Sequence, residues 1–298
     1  MRIISCLLAV HLSVHLSAVS AVGQPSPTWH EAVHSRGTGP QTWVLLSGLI
    51  GGRAGFRALE DSLFRAGFRV VTIDPYRLSL DSADVTFEAI ARRVDVVLSA
   101  LDVRHARVVG HSYGAGVALR LAAFAPDRVD ALFLLDAGAL STTRGKVLGR
   151  SLRLAPMLAS LPGGQRYIRQ RLAAGIRENS VHSEWFDDVA QHAFIDPLLA
   201  DIGRVVSLAM RLGDSVERDS LGMVIARVKA PVTVILGDAP HPSGPGAAEV
   251  DALRPIGARL TVIRVVGVGH FLHEEAPAIV LGHLLRSQRG VALAGLSK

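Results

Sequence analysis

Apolar residues follow two alternating patterns along this chain, short runs that are mostly apolar and longer stretches with helical spacing. The short runs predict strands at 42–46, 69–73, 106–109, 131–135, 231–236 and 260–266. The stretches with helical spacing lie at 56–66, 86–101 and 115–125. Strands separated by helices predict an α/β fold, with a mostly parallel, doubly wound sheet that carries helices on both faces.

The alternation stops between residues 138 and 228, where the sequence is helical in character and is broken at Pro156 and Pro197. Strands and helices resume after this stretch. We therefore predict a core in two parts, 24–137 and 229–298, with residues 138–228 inserted as a helical cap. Such a cap would cover the carboxyl ends of the strands, where ligands of open α/β sheets bind.

The pentapeptide Gly-His-Ser-Tyr-Gly at 110–114 stands between a predicted strand and a predicted helix. In this context Gly-x-Ser-x-Gly is typical of a nucleophile elbow, a turn in which the serine takes strained backbone angles and its hydroxyl stands clear of the sheet. Ser112 is therefore the candidate nucleophile. The alternative is an ordinary turn, because a chain with 29 glycines can contain the pattern by chance.

A candidate base lies after the last predicted strand, in Gly-Val-Gly-His-Phe at 267–271. Because the carboxyl ends of parallel strands meet at one edge of the sheet, His270 can reach Ser112 there. Two alternatives stay open. His270 could be a loop histidine without a partner, or it could bind a metal with His273, although no carboxylate stands at a suitable spacing.

The segment His-Glu-Ala-Val-His at 30–34 matches the zinc-binding pattern His-Glu-x-x-His. That pattern works on a helix, where residues four apart lie about 6 Å from each other. In a strand, His30 and His34 would stand about 13 Å apart. A turn at 37–40 leads directly into the next strand, so we favour a strand here, although Glu60 could supply a third ligand. We predict neither a metal nor an organic cofactor.

The amino-acid composition narrows the class of protein further. Apolar residues make up 49% of the chain and charged residues 19%, which supports a large buried core. The single cysteine, Cys6, excludes an intramolecular disulfide and a zinc site built from cysteines. No apolar run free of charge reaches the roughly 18 residues of a membrane span.

Eight basic and no acidic residues lie between 137 and 177, more positive charge than the net +6 of the whole chain. This predicts a cap that favours an anionic substrate or that makes weak contact with an acidic membrane surface, with a merely solvated face as the alternative. No recognised nucleic-acid-binding motif accompanies the charge, so we predict no nucleic-acid partner.

Residues 1–23 have the organisation of a secretory signal, with Arg2, an apolar stretch and then small residues. Cleavage would leave a mature chain that begins near Gln24. We therefore predict export to the periplasm or the medium. Because His11 and His15 interrupt the apolar stretch, an uncleaved anchor or a cytoplasmic protein with a misassigned start is the alternative.

Together these motifs make the chain resemble the α/β-hydrolase superfamily, in the branch with a serine nucleophile and a helical cap. The resemblance covers roughly residues 28–137 and 228–288. It rests on the segments 45–48, 110–114, 125–129 and 267–271. It also implies a strand at 29–36, which argues further against zinc.

The resemblance implies that the backbone N–H groups of Leu49 and Tyr113 hold the oxyanion that forms during acyl transfer. Ser47 stands where the superfamily usually has a histidine. This departure leaves the backbone N–H of Leu49 available as a donor, but the histidine that usually accompanies this donor in the superfamily is missing.

Two candidates follow for the acid that orients His270. Asp238 comes after the strand that most often supplies this acid, but the usual position is two residues later, at Pro240. Asp136 ends the preceding strand, at the position that some members use. The vacancy at Pro240 makes Asp136 our choice, with Asp238 as the alternative.

These expectations describe a carboxylesterase-like serine hydrolase. His270 would deprotonate Ser112, the serine would attack the carbonyl of an ester or related acyl compound, and water would hydrolyse the acyl-enzyme. A serine at this position argues against epoxide hydrolases and haloalkane dehalogenases, whose relatives carry aspartate. Carbon–carbon bond hydrolase, lactonase, thioesterase and perhydrolase activities stay open, as does a non-catalytic ligand-binding protein with the same fold.

Overall fold

A seven-stranded sheet runs through the residues described in the computed structural model, 29–137 and 153–294. Its strands are β1 (Val33–Arg36), β2 (Thr42–Leu46), β3 (Arg69–Ile73), β4 (Ala106–His111), β5 (Val129–Leu135), β6 (Val232–Gly237) and β7 (Leu260–Val265). They are ordered β1-β3-β2-β4-β5-β6-β7. Only β1 pairs in antiparallel fashion, and the other neighbours are parallel. The predicted α/β class with a mostly parallel sheet is confirmed.

Helices connect the strands and form most of the described residues between β5 and β6. They are α1 (Trp29–Ala32), α2 (Arg57–Arg65), α3 (Phe87–Ala100), α4 (Tyr113–Phe124), α5 (Ala155–Ala159), α6 (Gly164–Glu178), α7 (Asp188–Ala200), α8 (Ile202–Asp214), α9 (Leu221–Arg227), α10 (Ala247–Asp251), α11 (Leu272–Glu275) and α12 (Pro277–Ala294). The described helices include none that is both long enough and apolar enough to cross a bilayer. The predicted signal at 1–23 lies outside the described residues.

Alternating side chains of β2 build the two layers of the core. Val44 and Leu46 pack on one face of the sheet, in a cluster that includes side chains of α3 and α4. Trp43 and Leu45 pack on the other face, in a cluster with side chains of α2 and α12. All four side chains are completely buried, which explains why this strand reads as an unbroken apolar run.

The helical segment, defined here as residues 153–227, has a small core of its own beside the carboxyl edge of the sheet. Phe186, Phe194 and Ile195 pack there against Ile50 after β2 and against Phe271 after β7. The segment therefore lies against the loops that carry the candidate site. The remaining part of the predicted cap, residues 138–152, lies outside the described residues, and the predicted domain boundaries stay a prediction.

The strand expected at 29–36 is partly wrong, because residues 29–32 form helix α1. Val33 pairs with Ile73, the last residue of β3, so the residues before Val33 have no neighbouring strand. The chain turns into a short helix at that point. The backbone of Ala32 still accepts a hydrogen bond of 2.8 Å from Asp74.

Candidate active site

Ser112 occupies the tight turn between β4 and α4. Its backbone angles, φ 52° and ψ −124°, lie in a region that L-residues rarely adopt, and α4 begins at the next residue. A Cβ built on Gly110 would lie 2.5 Å from the carbonyl oxygen of Gly114, and one built on Gly114 would lie 2.3 Å from that of Leu46. Only glycine fits at either position. The turn thus has the geometry of a nucleophile elbow.

His270 and Asp136 meet at the carboxyl edge of the sheet. Nδ1 of the histidine lies 2.6 Å from Oδ2 of the carboxylate, and both side chains are buried. The backbone N–H of Gly237 approaches the other carboxylate oxygen at 3.4 Å. Burial alone would raise the pKa of Asp136, but hydrogen bonds from His241 and His270 outweigh burial and lower the pKa. Asp136 is therefore ionised at neutral pH.

His241 is the residue of this site that the sequence analysis missed. It lies in the loop after β6, and its Nε2 is 2.8 Å from the same Asp136 oxygen that His270 contacts. Its Nδ1 is 2.8 Å from the carbonyl oxygen of Ala239. The hydrogen bond with Asp136 is the main reason that the pKa of His241 is raised. The one signal in the sequence is that His241 directly follows Pro240, the position at which the superfamily usually has the acid.

Asp238, the alternative acid, is exposed, and its recorded hydrogen bond is with the backbone and not with His270. One of its carboxylate oxygens accepts a hydrogen bond of 2.6 Å from the backbone N–H of Gly267. Its contact therefore shapes the loop that leads to His270. The structure brings Asp136, and not Asp238, into contact with the imidazole.

Two further histidines, His111 and His273, pack beneath the site. Nε2 of His111 donates to the carbonyl oxygen of His270 at 3.0 Å, and Nε2 of His273 donates to that of Gly55 at 2.6 Å. Burial lowers the pKa of His111 well below its ordinary value and lowers that of His273 to about 3. Both rings are therefore neutral and serve to hold the loops around Ser112 and His270.

Ligand atoms of Asp136, His241 and His270 all lie within 4.8 Å of one another. The two nitrogen-to-oxygen distances, 2.6 and 2.8 Å, are those of hydrogen bonds. Two ligands that share a zinc ion, each at about 2.0–2.2 Å in tetrahedral geometry, would stand more than about 3 Å apart. We therefore describe these side chains as a hydrogen-bonded set.

The two expected oxyanion donors, Leu49 and Tyr113, both lie near Ser112. A Cβ built on Gly48 would stand 3.3 Å from Cβ of Ser112, so Leu49, the next residue, lies near the serine. Tyr113 is the first residue of α4, and the first N–H groups of a helix have no partner within it. The hydroxyl of Ser47 is buried and finds no hydrogen-bond partner within the described part of the chain.

A cavity of about 810 Å³ opens beside Leu49. Its apolar lining comes from both the core and the helical segment and includes Leu49, Tyr76, Leu80, Phe194, Leu198 and Leu208. The ring centroid of Tyr76 lies 6.5 Å from that of Tyr113, next to Ser112. The volume suits a small organic ligand or a single acyl chain.

Two residues, Asn179 and Glu275, tie the helical segment to the histidine loops. The backbone carbonyl of Asn179, just after α6, accepts a hydrogen bond of 2.8 Å from the backbone N–H of His270. Its side-chain oxygen accepts another, also of 2.8 Å, from the N–H of Ser243, near His241. The carboxylate of Glu275 accepts from Gly269 on the core side and, at 2.8 and 3.0 Å, from two N–H groups of the helical segment.

The basic residues of the predicted cap lie mostly at the surface. Arg153, Arg166, Arg171 and Arg177 are exposed, and Arg169 pairs with Asp196. None of these arginines lines the cavity described above. The other three basic residues, Arg144, Lys146 and Arg150, lie outside the described residues.

The zinc-like pattern at 30–34 is divided between α1 and β1, so its two histidines do not share a helix. Nδ1 of His34 lies 3.0 Å from Oε1 of Glu60, the ligand proposed from the sequence. The same oxygen lies 3.4 Å from the guanidinium of Arg53 and 3.7 Å from that of Arg36. Glu60 is therefore held in a cationic surrounding that suits an ion pair.

A family model described as the α/β hydrolase fold matches residues 43–166. The chain is 25% identical over 242 residues to the sn-1-specific diacylglycerol lipase of Mus musculus, and the match covers 78% of this chain and 76% of that protein. It is 34% identical over 109 residues to the zearalenone hydrolase of Bionectria ochroleuca, a match that covers 34% of this chain and 40% of that protein.

Among solved structures, a putative lipase from Acinetobacter baumannii AYE superposes with a TM-score of 0.67. The sequences are 18% identical, and the match covers 88% of each chain. A likeness at this level of identity shows a shared fold.

Proposed function

This chain belongs to the α/β-hydrolase superfamily and is a hydrolase, and from this premise we propose that it cleaves carboxylic esters through Ser112, His270 and Asp136. The observation that carries the proposal is the 2.6 Å contact between His270 and Asp136, at the same edge of the sheet as the strained Ser112. A buried carboxylate on Nδ1 leaves Nε2 of the imidazole free to accept a proton.

In this mechanism His270 accepts the proton of the Ser112 hydroxyl while the serine oxygen attacks the substrate carbonyl. Asp136 keeps the proton on Nδ1 and stabilises the imidazolium that forms. His270 then protonates the leaving alcohol, which departs and leaves an acyl-enzyme. Water, deprotonated by the same imidazole, releases the acid and restores Ser112.

The negative charge on the tetrahedral intermediate is assigned to the backbone N–H groups of Leu49 and Tyr113. Loss of one such donor typically costs about 2.7–4 kcal/mol of transition-state stabilisation. The position of Tyr113 at the start of α4 adds the positive end of the helix dipole.

For the substrate we propose an ester with an apolar acyl chain, which the cavity beside Leu49 would hold. Two observations support this choice. Part of the cavity wall is apolar and comes from Leu80, Phe194, Leu198 and Leu208, while charged side chains line the rest: Glu31, Arg36, Arg53, Arg57, Glu60, Asp61, Asp74 and Arg77. A relative with 25% identity over most of both chains is a diacylglycerol lipase. The helical segment supplies part of the wall, so we propose that it acts as a cap over the site.

The test is covalent labelling with a fluorophosphonate, followed by a panel of p-nitrophenyl esters of increasing acyl length. We expect the label on Ser112, and we expect Ser112→Ala to lose both labelling and esterase activity while it stays folded. Ser160→Ala, an exposed serine of the helical segment, is the matched control and should behave like the wild type. A Ser112→Ala variant that keeps more than a few per cent of kcat would refute the assignment.

The same experiment separates the alternatives. A folded protein that neither labels nor hydrolyses any ester would be a non-catalytic binding protein. Labelling without ester turnover would direct attention to lactones, thioesters, peracids or carbon–carbon bonds, which the same three residues can process.

Two expectations from the sequence stay predictions. One is the preference for anionic substrates or an acidic membrane surface. The exposed positions of Arg153, Arg166, Arg171 and Arg177 suit a surface better than the cavity. The other is export through residues 1–23.

A further inference from the structure

His241 stands between two hydrogen-bond acceptors. Its Nε2 is 2.8 Å from Oδ2 of Asp136, and its Nδ1 is 2.8 Å from the carbonyl oxygen of Ala239. Neither acceptor carries a proton to donate, because Asp136 is ionised and a carbonyl has none. A neutral imidazole has a single N–H and could satisfy only one of them. The imidazolium has two, so the geometry calls for the protonated ring.

The surroundings of His241 favour this charged form. Its side chain is 5% exposed, and that of Asp136 is fully buried, so the attraction between them is weakly screened. Glu275, in α11, adds a second negative charge that raises the pKa of the ring. Burial of the ring opposes the charge and is outweighed by these contacts. The ring centroid of His270, the other imidazole on Asp136, lies 5.7 Å away.

Asp136 therefore serves two imidazoles through one oxygen. Oδ2 accepts from His270 at 2.6 Å and from His241 at 2.8 Å. A carboxylate that is already paired with a cation stabilises a second cation less. A neighbouring positive charge also disfavours protonation of His270 directly. Both effects oppose the imidazolium form of His270.

We propose that His241 is a positioning residue that carries a permanent positive charge at neutral pH, shares Asp136 with His270, and so opposes the imidazolium form of His270 and extends activity into mildly acidic solution. The proposal rests on the assignment of His270 as the base. It predicts that this hydrolase stays active at a lower pH than a hydrolase in which the triad carboxylate contacts only the catalytic histidine.

The test uses the pH dependence of the rate at which a fluorophosphonate labels Ser112, which needs no knowledge of the substrate. The acid limb of that profile reports the protonation of His270. In His241→Gln, a neutral side chain that can still donate one hydrogen bond replaces the cation. We expect the acid limb to move to higher pH by about one unit, with a plateau rate within about tenfold of the wild type.

A second variant, His241→Phe, keeps a ring in the same space without any charge and should show the same shift. The matched control is His105→Gln, which removes a surface histidine paired with Asp130 at 3.3 Å. This pair lies at the amino-terminal ends of β4 and β5, whereas the candidate site lies at the carboxyl ends of the strands. Its profile should superpose on that of the wild type. An acid limb that stays in place or moves to lower pH in the folded His241 variants would overturn the proposal.

Nitrogen-15 spectra of the imidazole rings give an independent readout. At pH 7 both ring nitrogens of His241, identified by their loss in His241→Gln, should show the shifts of protonated nitrogens. A neutral pattern would overturn the proposal. If wild-type Ser112 does not label at all, the esterase assignment fails, and these spectra still decide the charge of His241.

Discussion

At the scale of single residues, the choice between two carboxylates decides how His270 works. Asp136 contacts the imidazole at 2.6 Å, whereas Asp238 is exposed and accepts from the backbone of Gly267. We expect Asp136→Asn to lower kcat by about 10⁴, because the amide would favour the wrong tautomer of His270. Asp238→Asn should lower kcat by less than about tenfold.

Steady-state kinetics on both variants, with circular dichroism to confirm folding, measure this difference. Asp238→Asn is the matched control, since it makes the same chemical change on the same edge of the sheet. The reverse order of effects, in two folded variants, would move the acid to Asp238.

At the scale of elements, Glu275 joins α11 to the helical segment. Its carboxylate accepts from Gly269, next to His270, and from Val181 and His182 at the far side. In Glu275→Ala these three N–H groups lose their acceptor. We expect the free energy of unfolding to decrease by about 1–3 kcal/mol and kcat to decrease about tenfold as the His270 loop loosens.

Urea denaturation and ester kinetics test this expectation. Glu178→Ala is the control, because Glu178 is an exposed glutamate at the end of α6, in the same helical segment. Wild-type stability and kcat in Glu275→Ala would mean that the backbone contact between Asn179 and His270, at 2.8 Å, suffices to hold the loop.

At the scale of the whole molecule, buried histidines make the fold sensitive to acid. Burial lowers the pKa of His273 to about 3, whereas the unfolded chain takes up this proton near the ordinary value of 6.5. Stability from this group is therefore complete above pH 6.5 and decreases as the pH falls towards 3. The expected loss at pH 4 is about 3 kcal/mol from His273 alone.

Urea midpoints measured at pH 7, 5 and 4 give the size of this loss. In His273→Gln the loss of stability between pH 7 and pH 4 should be smaller than in the wild type by about 3 kcal/mol. His105→Gln should lose as much stability as the wild type. A wild-type midpoint that does not change between pH 7 and pH 4 would contradict the buried, neutral state of His273.

The local sequence pattern by itself predicted most of the strands, the turn that carries Ser112 and the loop that carries His270. The predicted strands at 42–46 and 69–73 have the bounds that the structure shows, because both strands are largely buried on two faces and therefore consist mostly of apolar residues. The turn at Ser112 was predictable for a related reason. Only glycine fits where Gly110 and Gly114 approach the neighbouring backbone. The geometry of the turn therefore dictates a pattern within five consecutive residues, which can be recognised in the sequence.

Tertiary structure alone decided which side chains meet. Asp136 and Asp238 both follow a strand, and the sequence favoured Asp136 only through the vacancy at Pro240. The contact of Asp136 with His270 is seen only in the structure. His241 reaches Asp136 across 105 positions of the chain, and residues 29–32 become helical because β3 ends opposite Val33. Contacts of this kind depend on the direction of side chains and on the lengths of neighbouring strands. These are properties of the packed molecule, and a local pattern of residues does not record them.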